Sequence, residues 1–562
     1  MLFKKPNLLK SVIVISFLLV LVPVAVSAQQ KFFVDSTYDF YGREIIFASL
    51  KKTFPNAYFF VDDDFFNSLE RNSQNQILDN LEQLGAEFTL KIYPQLTGFW
   101  GQEPKPGIDG DEKITILFHP MREKVGGYFN SGDEYLKIQN PKSNQREMFY
   151  LNSKNIPNPL IKALMAHEFT HLIVFNQKEK ISGISEETWL NEAYAEYSIT
   201  YLGYNEPYQG SNLEKRVSDF LSSPSDSLTF WQNKISDYGV INLFIHYLID
   251  HYGRNILNDA LHSKKAGILS INEALVKNGF KEDFSKVFTD FTIAVLINNC
   301  SAGEKYCFKS SNLAVLRLLP QSHFLPLTGT STLETSYDSE NWAGNWFKFL
   351  GGHSDLKIVF SGNKLNKFVI PYILENSKRE QEVKFLNLDK NGQGEIIVPK
   401  FNNEIISITL LPSVQSKISE FDGLSQKISF TFKVSLGNFS VEDIIKELLE
   451  KIEILKKQIA EAQAKIDELS KASIGGCQII NNLYFGLKNN NEVKCLQTFL
   501  KSQDSQIYPE GLITGNFLDL TLKAVIRFQE KYAGEILRPL GLEKGTGFVG
   551  LATRAKINQL LK

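Results

Sequence analysis

The chain has 562 residues, of which 43% are hydrophobic and 22% charged, room for roughly three or four domains of about 150 residues each. That composition excludes a disordered chain, a collagen-like repeat and a small disulfide scaffold. With a formal net charge of −2 there is no global positive field to hold a nucleic acid, so no nucleic-acid partner is expected and any contact with an anionic surface has to be local.

In chain order, Lys4, Lys5 and Lys10 precede the apolar run Ser11 to Val26, and Ser27 and Ala28 complete a Val-Ser-Ala pattern. This reads as an export signal over residues 1–28, with a mature chain from Gln29 and a secreted or periplasmic destination. An uncleaved anchor is the other reading, because about 16 apolar residues sit at the short edge of a bilayer span. From 29 to 156, β-rich runs at Ala57 to Val61, Phe88 to Ile92 and Lys113 to Phe118, with a helix over Gln74 to Leu84, predict a mixed α/β lobe. Asp109-Gly110-Asp111 could hold calcium, but two carboxylates fall short of six to eight oxygens, and a turn entering the next strand is the simpler reading. Asn158-Pro159 then supplies a cap and a first-turn proline for a helix in which Leu160, Leu164, His167, Glu168, His171 and Leu172 recur at helical spacing. Helical patterns continue at Trp189 to Leu202, Tyr238 to Tyr252, Asn255 to His262, Ser270 to Asn278 and Asp283 to Ile297, so residues 157–312 are expected to be mostly α. The stretch from Gln177 to Glu187 between the first two helices is either a lip or a plain loop.

Alternating runs such as Trp346 to Leu350, Leu356 to Phe360, Glu395 to Val398, Ile405 to Leu411 and Ile428 to Val434 predict a β-sandwich over 313–438. Within it Leu325-Pro326-Leu327-Thr328-Gly329 matches a sortase pentapeptide, but no apolar segment and basic tail follow it, so it is read as coincidence. Ile445, Leu448, Ile452, Leu455, Ile459, Ala462, Ile466 and Leu469 keep a heptad register within residues 439–473, about 42 Å of helix over four heptads. This segment is either a coiled coil that pairs two chains or a single helical spacer. Ser473-Ile474-Gly475-Gly476 breaks it before a final unit, 474–562, whose apolar positions Leu496, Phe499, Leu500, Val525, Phe528 and Ile557 suit one small three-helix core. The four cysteines fall in two close pairs, Cys300 with Cys307 and Cys477 with Cys495, which suits local disulfides in an oxidising compartment rather than a zinc ribbon.

The chemistry concentrates in His167-Glu168-Phe169-Thr170-His171. In a helix this His-Glu-x-x-His pattern sets two imidazoles one turn apart on one face, able to reach one zinc ion. The next helix carries Asn191-Glu192 and Glu196, so Glu192 is the expected third ligand, with the fourth tetrahedral position left for water. Glu168 is the expected general base, taking the proton of that water and returning it to the leaving amine. Glu196, one turn past Glu192, is expected to orient a ligating imidazole, with Asn191 beside it.

These residues resemble the gluzincin metallopeptidases, whose signature is His-Glu-x-x-His followed by Asn-Glu on the next helix. The similarity is closer still to the hyicolysin-type neutral metallopeptidases, on Asp109-Gly110-Asp111-Glu112-Lys113-Ile114-Thr115-Ile116-Leu117, Gly127-Tyr128-Phe129 and Glu147-Met148-Phe149-Tyr150-Leu151-Asn152 before Ala166-His167-Glu168-Phe169. The resemblance implies a multidomain α+β protein whose protease part has an N-terminal α/β lobe and a helical lobe, with an edge strand that pairs with extended substrate. It also implies a Tyr or His opposite the zinc to stabilise the oxyanion; Tyr238 is the expected residue, with His246 as likely to be packed or at the surface as functional.

The final unit resembles the peptidoglycan-binding type 1 domain on Gly515-x-Phe517-x-x-x-Thr521 leading into Arg527-Phe528-Gln529. From Cys477 onward it carries eleven basic and seven acidic residues, a net +4 suited to an anionic wall polymer. The resemblances together imply a secreted, cell-wall-associated zinc endopeptidase acting on protein or peptide and bound to peptidoglycan through its last domain. A hydrolase of peptidoglycan cross-links and an inactive wall-binding scaffold or adhesin are the alternatives.

Overall fold

The computed structural model describes residues 29–327, 331–416, 427–437, 449, 452–465 and 477–561. The expected export signal and most of the heptad segment fall outside the described residues, as do the last two residues of the sortase-like pentapeptide. The chain is mixed α+β and divides into two compact units, one ending at Asn438 and one beginning at Phe439.

Six strands form the first sheet: β1 (Gln29–Phe33), β2 (Ile45–Thr53), β3 (Ala57–Asp62), β4 (Ile114–His119), β5 (Gly127–Phe129) and β6 (Met148–Asn152), in the order β1-β2-β3-β4-β6-β5. The centre, β3-β4-β6, is parallel, and β4 is buried at every residue, which is why it reads as a continuous apolar run without alternation. One face, with Phe59, Ile116, Phe118 and Phe149, packs on helices α1 (Asp63–Ser68), α2 (Arg71–Glu87) and α3 (Tyr93–Trp100) and on the helical lobe. The other, with Phe32, Ile46, Phe60, Leu117, Tyr128 and Tyr150, has its own core. Residues 88–92, expected as a strand, instead make a π-helical turn joining α2 to α3. Phe88 and Ile92 are four residues apart and both buried, so a run with strand composition is claimed by a helical contact with the core. The Asp109-Gly110-Asp111 carboxylates close a turn: Asp109 accepts from Asp111 N at 2.9 Å, and Asp111 from Lys113 N at 3.0 Å and from the Tyr58 hydroxyl at 3.0 Å.

The helical lobe comprises α4 (Ile161–Val174), α5 (Thr188–Tyr201), α6 (Asn212–Ser222), α7 (Ile235–Tyr252), α8 (Asn255–Leu261), α9 (Gly267–Lys277) and α10 (Phe284–Ile297). α4 starts two residues beyond the expected proline; Asn158 accepts from Leu160 N and Ile161 N, making a turn ahead of the helix. α7 begins at Ile235, a turn earlier than expected, so Tyr238 lies inside its first turn. The stretch 177–187, read as a lip or a plain loop, is anchored: a π-helical turn, Phe175–Ile181, extends α4, and the buried Lys178 ammonium donates to the carbonyls of Ala260, Ser263 and Lys265 and pairs with Glu186 at 3.2 Å.

Beyond Leu313 come β7 (Gln321–Leu325), β8 (Ser331–Ser339), β9 (Phe347–Gly351), β10 (Asp355–Gly362), β11 (Phe368–Val369), β12 (Pro371–Asn376), β13 (Gln381–Phe385), β14 (Gln393–Val398), β15 (Ile405–Leu410), β16 (Ser413–Val414) and β17 (Ile428–Gly437). A four-stranded sheet, β14-β10-β17-β8, and a five-stranded sheet, β13-β12-β15-β9-β7, bury one shared core including Phe349, Phe360, Ile408 and Phe432. This part is continuous with the helical lobe: the Trp342 ring lies 4.9 Å from Phe284, and the Trp346 indole donates to Thr292 O at 3.0 Å.

In the second unit residues 452–465 are helical, with Ile452, Leu455 and Ile459 exposed. Helices Asn491–Gln503, Asp519–Lys531 and Leu551–Leu560 follow, and the six expected core residues are all buried together. An internal repeat is visible here in the hydrogen bonds. Gln497 accepts from Thr514 N and Gly515 N and donates to Thr521; Gln529, offset by 32 residues (497 to 529), accepts from Thr546 N and Gly547 N and donates to Thr553. Gly515 and Gly547 both take φ near +75°, at 76° and 73°. Both expected disulfides are present, Cys300–Cys307 and Cys477–Cys495, consistent with an oxidising compartment. Among the described residues no helix is long and apolar enough to cross a membrane.

Next to β6 two carboxylates are buried side by side, Glu134 and Glu147. Burial and the adjoining Glu147 push Glu134 up, and burial pushes Glu147 up; Lys180, whose ammonium donates to Glu134 O at 3.0 Å, opposes the shift in Glu134 only in part. Because the folded state holds the proton more tightly than the unfolded chain, this pair costs stability as pH rises above about 4.5. Thermal unfolding of Glu134→Gln against the parent at pH 5 and pH 8 will show the variant gaining as pH rises, at up to about 1.4 kcal/mol per pH unit.

Candidate metal centre

α4 carries little amphipathic signature because it is buried almost all round. Thr170 bonds back to Ala166 O and across to Ser198 of α5, which also accepts from the Trp100 indole of α3, so three helices are locked at the level of the His-Glu-x-x-His turn. His167 and His171 present their Nε2 atoms to each other at 3.1 Å. From α5, Glu192 brings Oε2 to 3.3 Å from His167 Nε2 and 3.7 Å from His171 Nε2. Among the described residues this is the one group of three His, Cys, Asp or Glu side chains whose ligand atoms all lie within 4.8 Å of one another. Glu192 Oε2 is buried and has no hydrogen-bond partner. Two imidazole nitrogens converging on an orphaned carboxylate oxygen fit a small divalent cation, and the His₂Glu donor set is one that suits zinc.

The ring orientations are set from behind. His171 Nδ1 meets Asn191 Oδ1 at 3.1 Å. His167 Nδ1 is 3.6 Å from Glu196 Oε1, an ion-pair distance rather than a hydrogen bond. Glu196 is instead gripped by groups that sequence reasoning missed: Arg216 of α6 at 2.6 and 3.1 Å, Asn212 at 2.7 Å and Asn242 of α7 at 2.9 Å. No local pattern marks Arg216, which sits among other charges on an amphipathic helix. Against its complete burial, Arg216 holds Glu196 down to about 2. Burial pushes Glu168 up to about 8, with Glu192 and Glu196 adding and His167 opposing. His167 goes up to about 9 because Glu192, Glu168 and Glu196 outweigh the burial that favours its neutral ring, whereas burial leaves His171 lowered.

Glu168 lies against the edge strand β5. A Cβ at Gly127 would come within 2.9 Å of Glu168 Cγ and 3.0 Å of its Oε1, and one at Gly126 would meet Leu164, so the paired glycines are what let α4 approach the strand. Tyr238 of α7 has its ring under the Arg216 guanidinium at 4.4 Å and beside Trp231 at 4.8 Å. Burial raises its phenol, and the charges of Glu192, Glu196 and Glu168 raise it further. His246 is packed: Nδ1 meets Asn242 O at 2.8 Å and Nε2 meets the Thr200 hydroxyl at 3.0 Å. The cluster thus brings together three side chains that could hold a cation and an adjacent carboxylate, with the phenol of Tyr238 under their electrostatic influence.

No family model and no curated protein matches this chain. Among solved structures, a periplasmic inhibitor of g-type lysozyme from Aeromonas hydrophila is 11% identical, covers 21% of this chain and 100% of its own, and has a TM-score of 0.13. A family GH115 4-O-methyl-α-glucuronidase with specificity for decorated arabinogalactans is 9% identical, covers 58% of this chain and 51% of its own, and has a TM-score of 0.11. At such scores neither likeness bears on fold or function.

Zinc titration followed by elemental analysis will give one tightly held ion per chain, and Glu192→Ala will abolish retention through gel filtration. Arg216→Met removes the cation facing a wholly buried carboxylate and will cost about 3–5 kcal/mol in urea unfolding, measured on the metal-free chain.

Proposed function

We propose that this chain is a zinc endopeptidase of the gluzincin type, resembling the hyicolysin-type neutral metallopeptidases, held at the cell wall by its C-terminal domain. What carries the reading is the convergence of His167, His171 and Glu192 with Glu168 on the same helix, against an edge strand. Zinc, when bound, supplies Lewis-acid chemistry that acidifies water and polarises the scissile carbonyl. Glu168 takes a proton as attack begins and passes it to the leaving amine. Tyr238, kept protonated, donates to the oxyanion. Among the described strands β5 bonds to β6 alone, and its other edge offers backbone groups to an extended peptide, which is how strand addition selects peptide over compact protein.

Glu192 as third ligand and Asn191 behind His171 complete the zinc set of this reading. The terminal unit's resemblance to peptidoglycan-binding domains and its +4 charge support a wall partner, and tethering would raise the local concentration of enzyme near wall-associated protein. The heptad register supports pairing of two chains.

Hydrolysis of a quenched fluorescent casein tests the reading. The parent chain will cleave it in a chelator-sensitive way; Glu168→Gln will lose nearly all turnover while keeping its zinc, and Tyr238→Phe will lower kcat by about 10²-fold with KM little changed. Release of wall peptides without casein cleavage would move the activity to peptidoglycan cross-links.

A further inference from the structure

The terminal unit carries two exposed aromatic rings that its core does not use. Residues 483–487 run between the two halves of the 32-residue repeat: Leu483 exchanges two backbone hydrogen bonds with Val549, at 3.3 and 2.9 Å, while Gly486 N donates to Phe517 O and Leu487 O accepts from Phe517 N. Phe517 and Val549 are themselves one repeat apart (517 to 549, 32 residues). Leu483 and Val549 are fully buried. Because side chains alternate along an extended pair, their neighbours Tyr484 and Phe548 turn to solvent, 51% and 44% exposed. The two rings lie 6.5 Å apart at 22° to each other, and neither belongs to the core of the unit.

The repeat shows that the fold asks for no ring at this place. Asn516 holds in the first half the position that Phe548 holds in the second, and its side chain accepts from Asn489 N at 2.9 Å. The backbone under Phe548 is nonetheless fixed, since Phe548 N donates to Thr546 Oγ1 at 3.2 Å and Phe548 O accepts from Gln529 Nε2 at 2.8 Å. Arg554 bonds Asn482 and donates to Val549 O at 3.3 Å, which ties a cation to both segments that carry the rings. That cation and the unit's net +4 match an anionic polymer. Two half-exposed rings present about 200 Å² of apolar surface, far short of the roughly 800 Å² per partner that a stable protein interface buries. A small flat ligand suits them better.

We propose that Tyr484 and Phe548 form a stacking platform for the sugar rings of a wall glycan. The proposal rests on the reading of this unit as a wall-binding domain; it adds the residues that make the contact, and the sugar strand rather than its peptide branches as what they touch. A pyranose whose hydroxyls lie near the ring plane turns bare C–H groups to its faces, and the negative face of an aromatic ring attracts them. Rings held in place before the glycan arrives lose little entropy on binding.

The test sediments the full chain with insoluble peptidoglycan and titrates it by calorimetry with N-acetylchitohexaose, a β-linked amino-sugar chain without peptide. Tyr484→Leu and Phe548→Leu, which keep an apolar side chain and remove the ring face, will each weaken both interactions about tenfold. Tyr484→Phe and Phe548→Tyr, which keep the ring, will bind as the parent does. Unchanged binding by the leucine variants overturns the platform. So does an equal loss in the ring-keeping variants, which would mark the two positions as structural. A parent that sediments with peptidoglycan but ignores the chito-oligosaccharide also overturns it, and moves the contact to the peptide branches. If the parent binds neither, the wall-binding reading itself fails and the platform falls with it, a result distinct from the others because it shows before any substitution is made.

Discussion

Two buried carboxylates, Glu168 and Glu196, and a half-buried third, Glu192, lie in the contact between two helices, and an arrangement of that kind persists only if the charge is met. Arg216 meets Glu196 with two short hydrogen bonds, and the two asparagines Asn212 and Asn242 complete its shell. That leaves Glu168 beside His167, His171 and Glu192, whose donor atoms converge where a divalent cation could be held. The rest of the helical lobe serves this contact: α6 and α7 deliver Arg216 and Asn242, while Trp100, Thr170 and Ser198 fix how closely α4 and α5 approach.

The sheet lobe is built to put an edge strand beside that cluster. Gly126 and Gly127 remove the side chains that would hold α4 away, and the strand's outer face is braced by the Tyr128–Tyr150 stack and by the connection between β1 and β2, where the buried Asp39 carboxylate accepts from Tyr41 N, Arg43 N and Arg43 Nη2. Buried Lys178 does for the far end of α4 what Asp39 does for the hairpin: one ionised group collects several backbone partners and turns a connection into a fixed element. The second unit uses the same device with neutral groups, since Gln497 and Gln529 each tie a Thr-Gly turn to the start of a following helix.

Much of this could be read directly. The two imidazoles, Glu168 and Glu192 follow from helical spacing and from the Asn-Glu step on the next helix; local disulfides follow from cysteine proximity; and the six core positions of the terminal unit follow from helix periodicity. The repeat of 32 residues was also present in the sequence, as Gln497 with Thr514-Gly515 and Gln529 with Thr546-Gly547, but it becomes visible only once one knows that each glutamine bonds its own turn. The run Phe88 to Ile92 misled because β-branched and aromatic composition is shared by strands and by buried helical turns, and tertiary contact decides between them.

The sequence by itself determined that His167 and His171 lie one turn apart on one helix face, because that spacing is a local property of the chain; it nominated Glu192, and the packing of two helices brought Glu192 to them. Tertiary structure alone decided what stands around the cluster. Arg216 against Glu196, Asn242 from another helix and Gly127 under Glu168 join residues 20 to 46 positions apart, and no periodicity encodes such distances. Local spacing is set by the geometry of a helix, which any stretch of chain carries within itself; the charge balance and the approach of one lobe to another exist only when the whole core has closed.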